Sequence, residues 1–134
     1  MKKLKNIIGN YKSLKDIMLD KNLAKLGDAY VNLIYSIALS IKFGKPAGVK
    51  ADNRVLAEAV RKAELRSFLP KGLSRHDIGN AAEALLAYGW LKGLIDADDC
   101  VKFLYEAENP IEGFSAIMAN ILKKMERRLV DNGN

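Results

Sequence analysis

Asp28 and Glu83 are acidic residues set among apolar and small neighbours. Asp28 lies in LAKLGDAYVNLIYSIA, with Ala24, Lys25 and Asn32 one helical turn away. Glu83 lies in NAAEALLAYGWL, with Gly79, Asn80 and Ala87 along its helical stripe. A glycine inside a helix costs about 1 kcal/mol relative to alanine, so Gly27 and Gly79 invite an explanation in close packing. Two helices meeting at these points would bring the two carboxyls face to face. Two ionised carboxylates in a partly dry groove require a cation or a shared proton. The natural cation is Mg²⁺, whose hard, oxygen-preferring sphere keeps waters and is completed by a phosphate. Competing readings stand beside this one. Lys21, Lys25, Asp28, Asn32 and Ser36 also form a respectable solvent-facing stripe with Lys25 as the ordinary partner of Asp28, and a Lys or Arg from another helix would serve Glu83 as well as a metal.

The elements that must carry these residues are helical. No strand alternation persists for more than a few residues, and the chain reads as all-α. Leu23, Leu26, Tyr30, Leu33, Ile37 and Ile41 recur at threes and fours, predicting one long amphipathic helix from about Lys21 to Lys42 that stops at Phe43-Gly44-Lys45-Pro46. Asp52 is placed to cap a helix carrying Val55, Leu56, Ala59, Val60 and Ala63, which Pro70 and Gly72 end. Asp77 is placed to cap the next helix, Ile78 to Leu91, and Asp96 a shorter one through Val101, Leu104 and Tyr105. Asn109-Pro110 opens a last helix with Phe114, Ile117, Met118, Ile121, Leu122 and Met125 facing inward.

Composition bounds the rest. The 134 residues are 49% apolar, which suits one domain over 1–134 with an ordinary core and excludes intrinsic disorder. Cys100 is the one cysteine, so no intramolecular disulfide forms, and no base stands at a spacing that would make it a nucleophile. His76, near a helix start, reads as a cap or surface residue. The run from Ala81 to Trp90 is too short to cross a bilayer, and the opening MKKLKNIIGNYKSLKDIM is no signal peptide, so a cytoplasmic protein without membrane attachment is expected. P-loop, Rossmann glycine and zinc-ligand patterns are lacking. Residues 1–50 hold ten Lys against three Asp and carry the whole charge excess. A basic surface there attracts a polyanion, nucleic acid first, or serves solubility alone.

Asn22-Leu23-Ala24-Lys25-Leu26-Gly27-Asp28-Ala29 resembles the signature helix of ribonuclease III endonuclease domains, in which a Leu-Gly-Asp triplet follows a Glu by one turn. Asn80-Ala81-Ala82-Glu83-Ala84-Leu85-Leu86-Ala87-Tyr88 is similar to the family's second acidic helix, Asp-x-x-Glu-Ala followed by apolar residues. Lys50-Ala51-Asp52-Asn53-Arg54-Val55-Leu56 resembles its middle helices. The resemblance spans about residues 15–105 and is nearest to the miniature, archaeal-type members that consist of the endonuclease domain alone. Two acidic positions of the pattern are changed: Ala24 stands for the signature Glu and Asn80 for the first Asp of the second motif.

The resemblance implies an all-α ribonuclease III endonuclease fold and Mg²⁺-dependent hydrolysis of double-stranded or structured RNA, with Mn²⁺ able to substitute. Asp28 and Glu83 would be catalytic, with Asn80 joining them at the metal through its carbonyl oxygen and Asp77 a possible source of charge. It also implies a homodimer whose two sites cut opposite strands. Duplex RNA is read by shape and phosphates, so Lys21 and Lys25, with Lys2, Lys3, Lys5, Lys12 and Lys15, are candidate RNA contacts. Lys25 could instead neutralise the site, and the alternatives are an inert RNA-binding member of the same fold or a helical interaction protein.

Overall fold

A computed structural model describes residues 2–132, and every regular element among them is helical. After a short 3₁₀ segment, Lys2–Ile7, come α1 (Leu14–Met18), α2 (Lys21–Phe43) and α3 (Asn53–Lys62), then a 3₁₀ turn at Arg66–Phe68, then α4 (Arg75–Leu91), α5 (Ala97–Glu106) and α6 (Pro110–Asn132). The side chains of Lys2 and Lys5, named above, lie outside those described. None of the described helices is long and apolar enough to cross a membrane.

The helix ends follow local chemistry. Asp20 caps α2 by accepting the backbone N–H groups of Asn22 at 3.0 Å and Leu23 at 3.1 Å, and Gly44 closes it at φ 74°, a left-handed conformation suited to glycine. Asp52 caps α3 and Asp96 caps α5, while the Asn109 side chain accepts the Glu112 N–H ahead of α6. One start differs from expectation. Ser74, not Asp77, is the N-cap of α4, which therefore begins at Arg75, one turn before Ile78. The Ser74 hydroxyl accepts the Asp77 N–H at 3.1 Å while the Asp77 carboxylate accepts the Ser74 N–H at 3.2 Å. This reciprocal box satisfies two orphan donors and commits Asp77 to the helix end.

α4 is the central helix, packed by α1, α2, α3 and α6. Its residues Ala81 to Ala87 are all buried, as a helix enclosed on every side requires. Phe114, Ile117, Met118 and Ile121 of α6 and Leu56, Ala59 and Val60 of α3 complete the core around it.

α2 departs from the single inward stripe predicted for it. Leu23 and Tyr30 are buried, joined by Ala24, Gly27, Val31, Ile34 and Ala38, but Leu33 (57% exposed), Ile37 (39%) and Ile41 (53%) face outward. The helix has two apolar faces, one against α4 and one uncovered within the chain. A 3.6-residue period records that apolar residues recur and is silent on which row the chain itself buries.

Candidate functional site

Gly27 decides how closely α2 and α4 approach. A Cβ on Gly27 would stand 2.0 Å from the Glu83 carbonyl oxygen, so the two backbones touch at this point. The contact brings Asp28, the next residue, against the Glu83 side chain, and the two carboxyls lie within hydrogen-bonding reach. Glu83 is 4% exposed, the one charged residue among the buried described residues. Burial, and then the hydrogen bond and the negative charge of Asp28, push its carboxyl up to about 8, with the positive charge of Lys50 opposing the rise. At neutral pH without a bound cation, Glu83 holds a proton.

Asp28 is not a solvated residue paired to Lys25. It is half-buried, its Oδ1 accepts the Asn32 Nδ2–H at 3.1 Å, and Lys25 forms no ion pair among the described residues. Asn32 in turn accepts the Ala51 N–H through its own Oδ1 at 2.7 Å, which fixes the amide so that its donor faces Asp28. The same row continues down α2. The Ser36 hydroxyl accepts the Val49 N–H at 2.9 Å and donates to the Val49 carbonyl at 3.1 Å. The Ser40 hydroxyl accepts the Ala47 N–H at 2.8 Å. The polar stripe that reads as solvent-facing is thus the seam that binds the non-helical segment 47–51 to α2, supplying partners for backbone groups that have none of their own.

These residues open onto a groove of about 420 Å³ lined by Lys21, Ala24, Lys25, Asp28, Lys50, Asn53, His76, Asp77, Asn80 and Glu83. Asp28, Glu83, Asn80, Lys21 and Lys25, named from the sequence, all border it. Ala24 presents a methyl group where the resembled signature carries a carboxylate. Asp77 reaches the rim, with its carboxylate engaged at the helix end. Lys3, Lys12 and Lys15 are exposed and do not line the groove. Among the described residues, no group of three or more His, Cys, Asp and Glu side chains converges, so the acidic set is the Asp28–Glu83 pair.

Asn32, Lys50 and Asn53 are groove-building residues the sequence did not single out for this role. The spacing of Asn32, Ser36 and Ser40, at successive steps of four residues from Asp28, is the signal that was present. Asn53 lies over Gly79, where a Cβ would stand 2.8 Å from its Oδ1, and its Nδ2 is 2.9 Å from His76 Nδ1. Gly79 therefore admits the side chain that ties α3 to the rim of α4. Cys100 takes no part: it is fully buried, burial pushes its thiol up to about 11, and the Tyr30 hydroxyl donates to its sulfur at 3.6 Å.

The raised Glu83 carboxyl makes stability depend on pH with a definite sign. An unfolded chain releases this proton near the ordinary value of 4.5, and the folded protein holds it to about 8. The native state binds the extra proton across that interval, so this group's contribution is fully present below about 4.5 and is lost as pH rises through about 8. Thermal melts of metal-free protein should show stability falling across that interval relative to Glu83→Gln, which has no proton to lose. Parallel curves for the two proteins would contradict the coupling.

A family model described as Ribonuclease III matches residues 21–130. No curated protein matches the chain.

Proposed function

Because the chain belongs to the ribonuclease III family, a premise set by that match, we propose that it is a metal-dependent endoribonuclease acting on double-stranded or structured RNA. The observation that carries the reading is the meeting of Asp28 and Glu83 over the Gly27 contact, in a groove bordered by lysines. A buried carboxyl that holds a proton beside a second carboxyl is a pair short of positive charge. Its donors, with the Asn80 side-chain carbonyl, are hard oxygens that fit Mg²⁺, and Mn²⁺ in its place. When bound, such a cation polarises the phosphate and lowers the pKa of water, which is what phosphodiester hydrolysis needs.

The chain's own residues set the frame for that chemistry. Gly27 holds the two carboxyls together, and Asn32 fixes the orientation of Asp28 by donating to one of its oxygens. Burial of Glu83 on the central helix leaves its carboxyl little freedom to swing away. Lys21 and Lys25, exposed at the groove edge, are placed to meet the phosphates of an A-form duplex. The exposed row Leu33, Ile37 and Ile41 on α2 supports a homodimer that buries it, as apolar patches of this kind mark association surfaces.

Purified protein given a structured RNA duplex and Mg²⁺ or Mn²⁺ should release duplex products with short 3′ overhangs, and a chelator should stop the reaction. Light scattering should give twice the chain mass. Duplex binding with no cleavage under either metal would overturn the enzymatic reading in favour of an inert RNA-binding member, and neither binding nor cleavage would remove RNA as the substrate.

A further inference from the structure

We propose that Lys50 is a substrate-contacting residue of this groove, a fixed positive charge that binds the phosphate under attack and takes the place of a second divalent cation. The proposal rests on the endoribonuclease reading above and specifies how a site with only two acids would work.

The argument starts from how Lys50 is held. The segment 47–51 is fastened to α2 at alternate residues: Ala47 to Ser40, Val49 to Ser36 and Ala51 to Asn32, with donor–acceptor distances of 2.8, 2.9 and 2.7 Å for the three backbone N–H groups. Ala51 is buried. Lys50 therefore sits between two anchored residues on a segment that is otherwise without regular structure. Ordering the backbone of a loop costs conformational entropy, and the seam supplies the bonds that offset it here. The result places a lysine on the wall of the groove that also holds Asp28 and Glu83.

Lys50 faces those acids without being consumed by them. It is exposed and forms no ion pair among the described residues, so its ammonium is not within bonding distance of either carboxylate. Its anchored position sets it on the same groove as the pair. An ammonium held near a carboxylate pair and left unbonded is arranged for a third group, and the group that suits both an ammonium and an acid-held cation is a phosphate.

The acid count points the same way. Sites that hold two divalent ions surround them with several carboxylates, and here no group of three or more ligating side chains converges among the described residues. Two divalent ions on one carboxylate pair, with a lysine alongside, would leave a strong excess of positive charge. One ion with one lysine leaves a single positive charge, which the phosphate neutralises when it arrives. Lys50 then neutralises charge on a non-bridging phosphate oxygen and transfers no proton.

The test compares native protein with Lys50→Met and Lys50→Arg, all checked for native helix content by circular dichroism. With duplex RNA and saturating Mg²⁺, Lys50→Met should lose ~10²-fold in kcat, more than it changes KM, and Lys50→Arg should recover part of the loss. The slope of log binding constant against log salt should fall by about one for Lys50→Met, as expected for one lost phosphate contact. Titration of the RNA-free protein with Mn²⁺, followed by electron paramagnetic resonance, should show one tight ion per chain. Two tight ions per chain, or a Lys50→Met protein that cleaves and binds with native rates and salt slope, would overturn the proposal while leaving the endoribonuclease reading intact. A native protein that neither binds nor cuts duplex RNA would overturn both.

Discussion

Glu83→Gln is expected to abolish cleavage, by ~10³-fold or more, while leaving RNA binding within a few-fold of native and the folded protein at least as stable. The three parts of this expectation come from one geometry. Glutamine keeps the volume of the side chain, so the enclosed stretch Ala81 to Ala87 of α4 has no cavity to collapse. It cannot ionise, so the oxygen that would hold a cation loses its charge and the pair with Asp28 becomes a single carboxylate. In the metal-free native protein Glu83 keeps a proton that the unfolded chain releases, so the fold loses stability as pH rises from about 4.5 to about 8; the amide removes that liability. A thermal melt with and without Mg²⁺ separates these terms. Native protein should be stabilised by the ion because only the folded state assembles the pair, and Glu83→Gln should be nearly indifferent to it. Full cleavage by Glu83→Gln would place the reaction elsewhere or assign it to a contaminant. An inactive variant that has also unfolded would be uninformative alone, so Asp28→Asn, at a half-buried position that strains the packing less, is the companion measurement and should be equally inactive.

The lysine-rich groove and the acid pair differ in how far they could be read beforehand. The helices that bear Asp28 and Glu83 were legible because their signals are local: a cap at Asp52 or Asp96, a stop at Gly44, a proline at the first turn of α6, and apolar residues at threes and fours. The meeting of the two acids was legible only as a condition, since Gly27 announces a close approach without saying what approaches. What was hidden is non-local. Asn32, Ser36 and Ser40 have the spacing of a wetted helical face, and nothing in their own surroundings reveals that a segment 7 to 19 residues downstream will spend its backbone hydrogen bonds on them. Lys50 was hidden for the same reason, because its position is set by that seam and not by any periodicity of its own. The start of α4 was misplaced by one turn because both Ser74 and Asp77 are good caps, and the reciprocal bond between them uses both. The outward row of α2 was misassigned because Leu33, Ile37 and Ile41 are indistinguishable in type from residues of the core.

Gly27→Ala should be the most damaging single-methyl change in the protein. By helix propensity alone it is favourable by about 1 kcal/mol, since alanine is the better helix former. Packing reverses the sign. The added Cβ would stand 2.0 Å from the Glu83 carbonyl oxygen and 2.5 Å from its carbonyl carbon, both backbone atoms of the central helix. No rotamer change relieves that overlap, so α2 and α4 must move apart along their contact, across which Tyr30 stacks on Trp90 with ring centroids 4.7 Å apart. Overpacking in cores usually costs 1–3 kcal/mol, and a clash against fixed backbone belongs at or beyond the upper end; a net loss of about 3 kcal/mol lowers the melting temperature by roughly 10 °C in a chain of this size. Gly79→Ala is the internal comparison. There the new methyl meets the side chain of Asn53, 2.8 Å from Oδ1, and a side chain can turn aside. It should cost less stability, and its effect should be confined to the tie between Asn53 and His76. Separation of the helices in Gly27→Ala also separates Asp28 from Glu83, so whatever fraction stays folded at low temperature should show a Glu83 carboxyl that titrates closer to its ordinary value, a shift measurable by carbon NMR. A Gly27→Ala protein with native melting temperature and native Glu83 titration would show that the two helices do not touch at this point, and the carboxyl pair would lose the contact that assembles it.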